Sequence, residues 1–223
     1  MLDVKCKISS FEKDVVAYEA QEIQEGLILF YGDSGFTRWS ERHGNPNLSD
    51  VIRRKDGSPA AVCHGLGGST IDQLLYRYPR MVRPWKPRAL VLKVYNNDRD
   101  VNYSPDEIIF LQSRLLEWAR TDFPGIKLYV CDAQPLLLDK DRKNTWYYHQ
   151  LEYNELLEHY CSKHEDTTMV WQSRNPDLYL NPEDIGDYTK IREDLFIEDQ
   201  VHFNAQGYEI YKNFWLKQLD DIL

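Results

Sequence analysis

The run Ala89-Leu90-Val91-Leu92, followed by Val94 and bounded by Arg88 and Tyr95, constrains the chain most. A short apolar stretch without polar alternation belongs to a strand buried on both faces. Leu27 to Tyr31, Ala60 to Cys63, Ile126 to Cys131 and Thr168 to Trp171 read as four further strands of the same kind. Segments with helical spacing and end signals lie between them. Phe11 to Ile23 has Ser9 or Ser10 to cap it and Gly26 to stop it, and Ile71 to Met81 follows Ser69 or Thr70. Ser104-Pro-Asp-Glu opens a helix with a cap, a proline in the first turn and acids beside it, ending near Arg120. Trp146 to His164 and Ala205 to Leu219 complete the set, with an irregular stretch from Gln172 to Glu198. Strands alternating with helices predict an α/β fold, a mostly parallel five-stranded sheet covered on both faces. The 223 residues fit one domain, with residues 1–26 as an N-terminal helical segment packed on it.

Charge narrows the function classes. A net charge of −9 argues against nucleic acid as a partner, since phosphate neutralisation needs clustered cations. The one basic stretch, Arg77, Arg80, Arg83, Lys86, Arg88 and Lys93, reads as a solvated helix end and loop. No run of about 18 apolar residues could span a bilayer, and Met1 to Gly26 lacks an apolar signal core. Cys6, Cys63, Cys131 and Cys161 show no CxxC spacing and read as reduced thiols, so a cytoplasmic protein is expected.

In a parallel sheet the chemistry gathers at the carboxyl ends of the strands. That selects Gly32-Asp33-Ser34, Gly65 to Ser69 and Asn96-Asn97-Asp98. Ser34 follows a strand on a tight turn, a place for an exposed nucleophile, although Gly-Asp-Ser alone also reads as a turn and helix cap. A serine needs a base. His202 has Asp199 three residues before it, close enough to fix the tautomer that frees Nε2. Gly67-Gly68-Ser69 offers backbone amides at a helix start for an oxyanion, and Asn97 offers a side-chain donor.

Rival motifs fail on their own residues. Gly32-Asp33-Ser34-Gly35 echoes chymotrypsin-type proteases, but only 33 residues precede Ser34 and the pattern is α/β. The G-x-S-x-G elbow is broken by Phe36, and the dinucleotide fingerprint by Thr70. His159, Cys161 and His164 suit a solvated helix better than a metal site, and no metal or organic cofactor is implied.

The order of nucleophile, glycine amide, asparagine and Asp-x-x-His resembles the SGNH hydrolases, or GDSL-type lipases and esterases, from about Leu27 to Trp215. Val201-His202-Phe203-Asn204 with Gly207-Tyr208 looks like the branch related to platelet-activating-factor acetylhydrolases. The resemblance implies a three-layer α/β/α sandwich with a flavodoxin-like sheet. It implies Ser34 as nucleophile, His202 as base, Asp199 as its support, and Ser34, Gly68 and Asn97 as oxyanion hole. The implied reaction is hydrolysis of a small-molecule carboxylic ester; a carbohydrate O-acetylesterase, a silent binding protein of this fold and a nucleotide-binding α/β protein are the alternatives. Two departures stand out. Tyr95 occupies the glycine position of the third block, and Cys63-His64 precedes Gly65 where many relatives have asparagine. Asp33, Tyr95, Trp39 and His64 are therefore expected around the pocket, with a Tyr95 ring that favours short acyl groups.

Overall fold

The computed structural model describes residues 5, 7, 9–140 and 145–223; Cys6 lies outside them. Five strands form the sheet: β1 (Ile28–Gly32), β2 (Ala61–Gly65), β3 (Ala89–Lys93), β4 (Lys127–Cys131) and β5 (Thr167–Val170). Every pairing is parallel, in the order β2-β1-β3-β4-β5. That is the doubly wound, flavodoxin-like order, with a switch point between β1 and β3. The helices are α1 (Glu12–Glu19), α2 (Ser34–Thr37), α3 (Leu48–Val51), α4 (Ile71–Met81), α5 (Asn96–Asp100), α6 (Pro105–Asp122), α7 (Thr145–Ser162) and α8 (Ala205–Gln218).

Alternate strand residues feed two cores. Leu29, Tyr31, Leu90, Leu92, Leu128 and Val130 pack with Leu74, Leu115 and Leu157 of α4, α6 and α7. Ile28, Phe30, Val91 and Tyr129 face the other way, onto Trp39, Tyr211 and Trp215. Both faces of the sheet are thus dry, which is why its strands read as unbroken apolar runs. No helix among the described residues is long and apolar enough to cross a membrane.

The predicted α4 matches the observed one, with Thr70 and Gln73 forming its capping box. Ser104 caps α6 through the Glu107 N–H, as its sequence implies. The N-terminal helix is shorter than expected and starts after Phe11 at φ 69°, with no side-chain cap. Only Val15 of it is fully buried, so little apolar packing extends the helix toward Ile23. Tyr18 and ion pairs hold it: Tyr18 packs on His64 and donates to the Gly65 carbonyl at 2.8 Å, Glu12 pairs with Arg77 and Arg80 of α4 at 2.7 and 2.8 Å, and Glu19 pairs with Arg80 at 2.6 Å.

Candidate active site

Three strand ends stand in one row. Gly32 of β1 lies opposite Gly65 of β2 and Lys93 of β3, so the loops carrying Ser34, Gly68 and Asn97 leave the sheet side by side. A Cβ on Gly65 would stand 2.3 Å from the Thr37 nitrogen. Only glycine lets β2 run so closely beneath α2.

Ser34 is the first residue of α2, and the Asp33 carboxylate caps that turn by accepting the Gly35 N–H at 2.9 Å. Tyr208 of α8 donates its hydroxyl to the Gly35 carbonyl at 2.9 Å, holding the turn from the other side. His202 lies in a loop closed by the bridge between Phe196 and Phe203. Asp199 organises that loop: its Oδ1 accepts the N–H groups of Val201 and His202, both at 2.9 Å. Its Oδ2 lies 2.7 Å from His202 Nδ1, and His202 Nε2 lies 2.8 Å from Ser34 Oγ. A carboxylate only accepts, so the imidazole proton sits on Nδ1 and Nε2 receives the Ser34 hydroxyl. Burial opposes ionisation of Asp199, but the His202 ring and the His202 and Val201 N–H groups outweigh it and hold its carboxyl below the usual range.

Gly68 has φ +84°, a conformation that suits glycine, and a Cβ there would meet nothing within 4 Å. Among the described residues, no protein acceptor takes the N–H of Gly68 or of Ser34. Asn97 donates one Nδ2 hydrogen to the Ser69 carbonyl at 3.0 Å and keeps the other. The fully buried Asp98 joins the two loops, accepting Ile71 N–H at 2.7 Å and Tyr95 N–H at 3.0 Å. Desolvation raises its carboxyl to about 7 against those two hydrogen bonds.

Two cavities meet at Ser34, Asn97, Val201 and His202. One is a wide groove of about 740 Å³ bordered by Asp14, Tyr18, Arg38, Trp39 and Arg42. The other is a recess of about 70 Å³ bordered by Lys93, Arg99, Gln134, Leu136 and Phe203.

The residues expected at the site divide. Ser34, His202, Gly68 and Asn97 converge, Asp199 joins them through His202, Asp33 borders the recess and Trp39 the groove. His64 and Tyr95 border neither of these cavities, which corrects two pocket expectations. His64 has no exposure: its Nδ1 donates to the Met81 carbonyl at 2.8 Å and its ring lies between Tyr18 and Trp85. Burial pushes the His64 imidazole down to about 4. Tyr95 turns under the sheet end onto Tyr153 and His149, because that face offers an aromatic seat. Lys93, read as solvated, is also buried; its ammonium sits 2.9 and 3.1 Å from the two Asp33 oxygens. A lysine ending an apolar strand must find a carboxylate, and that signal was present in the sequence.

The sequence profile of the GDSL-like lipase/acylhydrolase family matches residues 30–210. The chain belongs to that family. It is therefore an ester-hydrolysing enzyme by family, and α1 precedes the matched segment. No curated protein sequence matches the chain. A GDSL-like lipase from Bacteroides thetaiotaomicron has a similar structure, at 17% identity, 97% coverage of this chain and 100% of that one, with a TM-score of 0.72. A Streptococcus pneumoniae protein described as a platelet activating factor gives 17% identity, 93% and 91% coverage, and a TM-score of 0.70. An acetyl-xylooligosaccharide esterase from Geobacillus gives 16%, 89% and 96%, and 0.66.

Proposed function

We propose that this chain is a serine esterase for short-chain carboxylic esters, working through Ser34, His202 and Asp199 as one hydrolase domain with α1 packed on it. The observation that carries the reading is the unbroken hydrogen-bond chain from Asp199 through His202 to Ser34, at 2.7 and 2.8 Å. His202 takes the Ser34 proton as Oγ attacks the ester carbonyl. The backbone N–H of Ser34, that of Gly68 and the free amide N–H of Asn97 receive the oxyanion. Collapse breaks the bond to the alcohol, which leaves with the proton from His202. Water then attacks the acyl-serine, giving its proton to His202, and the carboxylic acid leaves as Ser34 regains the proton. Asp199 orients the ring and balances the imidazolium.

Cavity size supports the short acyl preference that Tyr95 no longer carries. The recess of about 70 Å³ is the smaller of the two by far and has room for an acetyl-sized group. The wide groove carries polar side chains at its edge, Asp14, Gln21, Arg38, Arg42 and Asn47, which suit an alcohol with polar groups. A carbohydrate acetate is the second reading, favoured by that polar edge and by the likeness to an acetyl-xylooligosaccharide esterase. The test compares kcat/KM for p-nitrophenyl acetate, butyrate and octanoate. Acetate should lead and octanoate trail by at least about 100-fold, since even one or two misfitted methylenes at ~1–3 kcal/mol each bring that loss. A preference for octanoate overturns the short-chain reading.

A further inference from the structure

Tyr95 adopts a backbone conformation rare for a residue with a side chain, φ +118° and ψ −59°. Such strain persists only where the surroundings over-determine it. Here they act on both the ring and the backbone. The ring, with no exposure, lies 4.5 Å from the Tyr153 ring and 5.6 Å from that of His149, both on α7. His149 Nε2 faces the Tyr103 carbonyl at 2.8 Å and so carries the proton, leaving Nδ1 to accept the Tyr95 hydroxyl at 3.2 Å. The Tyr95 N–H is held by Asp98, the residue that also grips the start of α4 through Ile71.

Two residues beyond Tyr95 stands Asn97, whose amide borders both cavities beside Ser34. A glycine would hold this φ without strain, but it would remove the ring's contacts with His149 and Tyr153 of α7. The tyrosine accepts the strain and fixes the loop from below. We propose that Tyr95 is a positioning residue: its ring, seated on His149 and Tyr153, holds the Asn97 donor in place for the oxyanion. The inference rests on the esterase reading, and it assigns α7 a part in the reaction although none of its described side chains lines either cavity.

A residue acting through Asn97 must lose its effect when Asn97 is gone. The experiment measures p-nitrophenyl acetate kinetics for wild type, Tyr95→Gly, Tyr95→Phe, Asn97→Ala and the Tyr95→Gly/Asn97→Ala pair. Small displacement of a donor costs about 10- to 100-fold in rate. Tyr95→Gly should therefore lower kcat about tenfold with KM within about twofold, and Tyr95→Phe should recover most of the loss. In the Asn97→Ala background, Tyr95→Gly should cost less than about twofold more. Should Tyr95→Gly fail to fold, His149→Ala removes one side of the ring's seat, and its smaller kcat loss should likewise vanish with Asn97→Ala. An active wild type slowed by Asn97→Ala but untouched by Tyr95→Gly overturns this inference alone. Losses that multiply in the pair, or that fall on KM, overturn it equally. A wild type inert towards every ester removes the esterase reading and this inference with it.

Discussion

Replacing Lys93 with methionine tests how the nucleophile turn is held. Both partners of the Lys93–Asp33 pair are buried, with side-chain exposures of 5% and 4%, and the ammonium touches both carboxylate oxygens. Methionine keeps much of the stem's volume and leaves the carboxylate with the Gly35 N–H alone. Stranding one member of a buried pair costs about 3–5 kcal/mol. At roughly 2–4 °C per kcal/mol for a chain of this size, the midpoint should fall by about 10 °C. Urea unfolding followed by tryptophan fluorescence measures the loss directly. Asp33→Asn combined with Lys93→Met removes both charges and should recover most of it, since an uncharged replacement of a buried pair is often nearly neutral. A single variant that loses less than about 1 kcal/mol, or a double variant no better than the single, would refute the reasoning.

Two further outcomes follow from the same packing. His64 is held neutral, with its pKa lowered from 6.5 to about 4. The unfolded chain therefore binds the extra proton between those values, and the contribution is full above about 6.5 and lost as pH falls through 4. The stability gap between wild type and His64→Gln should shrink by about 3 kcal/mol between pH 7 and pH 4; a gap independent of pH contradicts the buried, neutral ring. Gly65→Ala should cost at least about 2 kcal/mol and slow ester turnover, because its Cβ would meet backbone at 2.3 Å beneath α2; an unaltered melting curve and kcat would show that α2 gives way freely.

What was legible in the sequence was what local chemistry encodes. The apolar runs place all five strands, the Thr70 and Ser104 caps place α4 and α6, and the spacing of Asp199 and His202 anticipates their contact. Side-chain direction was not legible, since it depends on partners remote in the chain. Tyr95 turns away from the groove because His149 and Tyr153, more than fifty positions on, make a seat for it. His64 faces Trp85 and the Met81 carbonyl because the strand's alternation puts it on the inner face of β2. Lys93 is buried because the register sets β3 against β1, bringing Asp33 within reach.

The central claim is that Ser34 is the nucleophile, and an organophosphonate probe followed by peptide mapping tests it most directly. The phosphonate forms its covalent bond with a serine activated by a neighbouring base. Wild type should carry the label on Ser34, Ser34→Ala should carry none while keeping its fold, and His202→Ala should label far more slowly. Label on Ser69 or Ser173, or undiminished labelling of Ser34→Ala, would contradict the account.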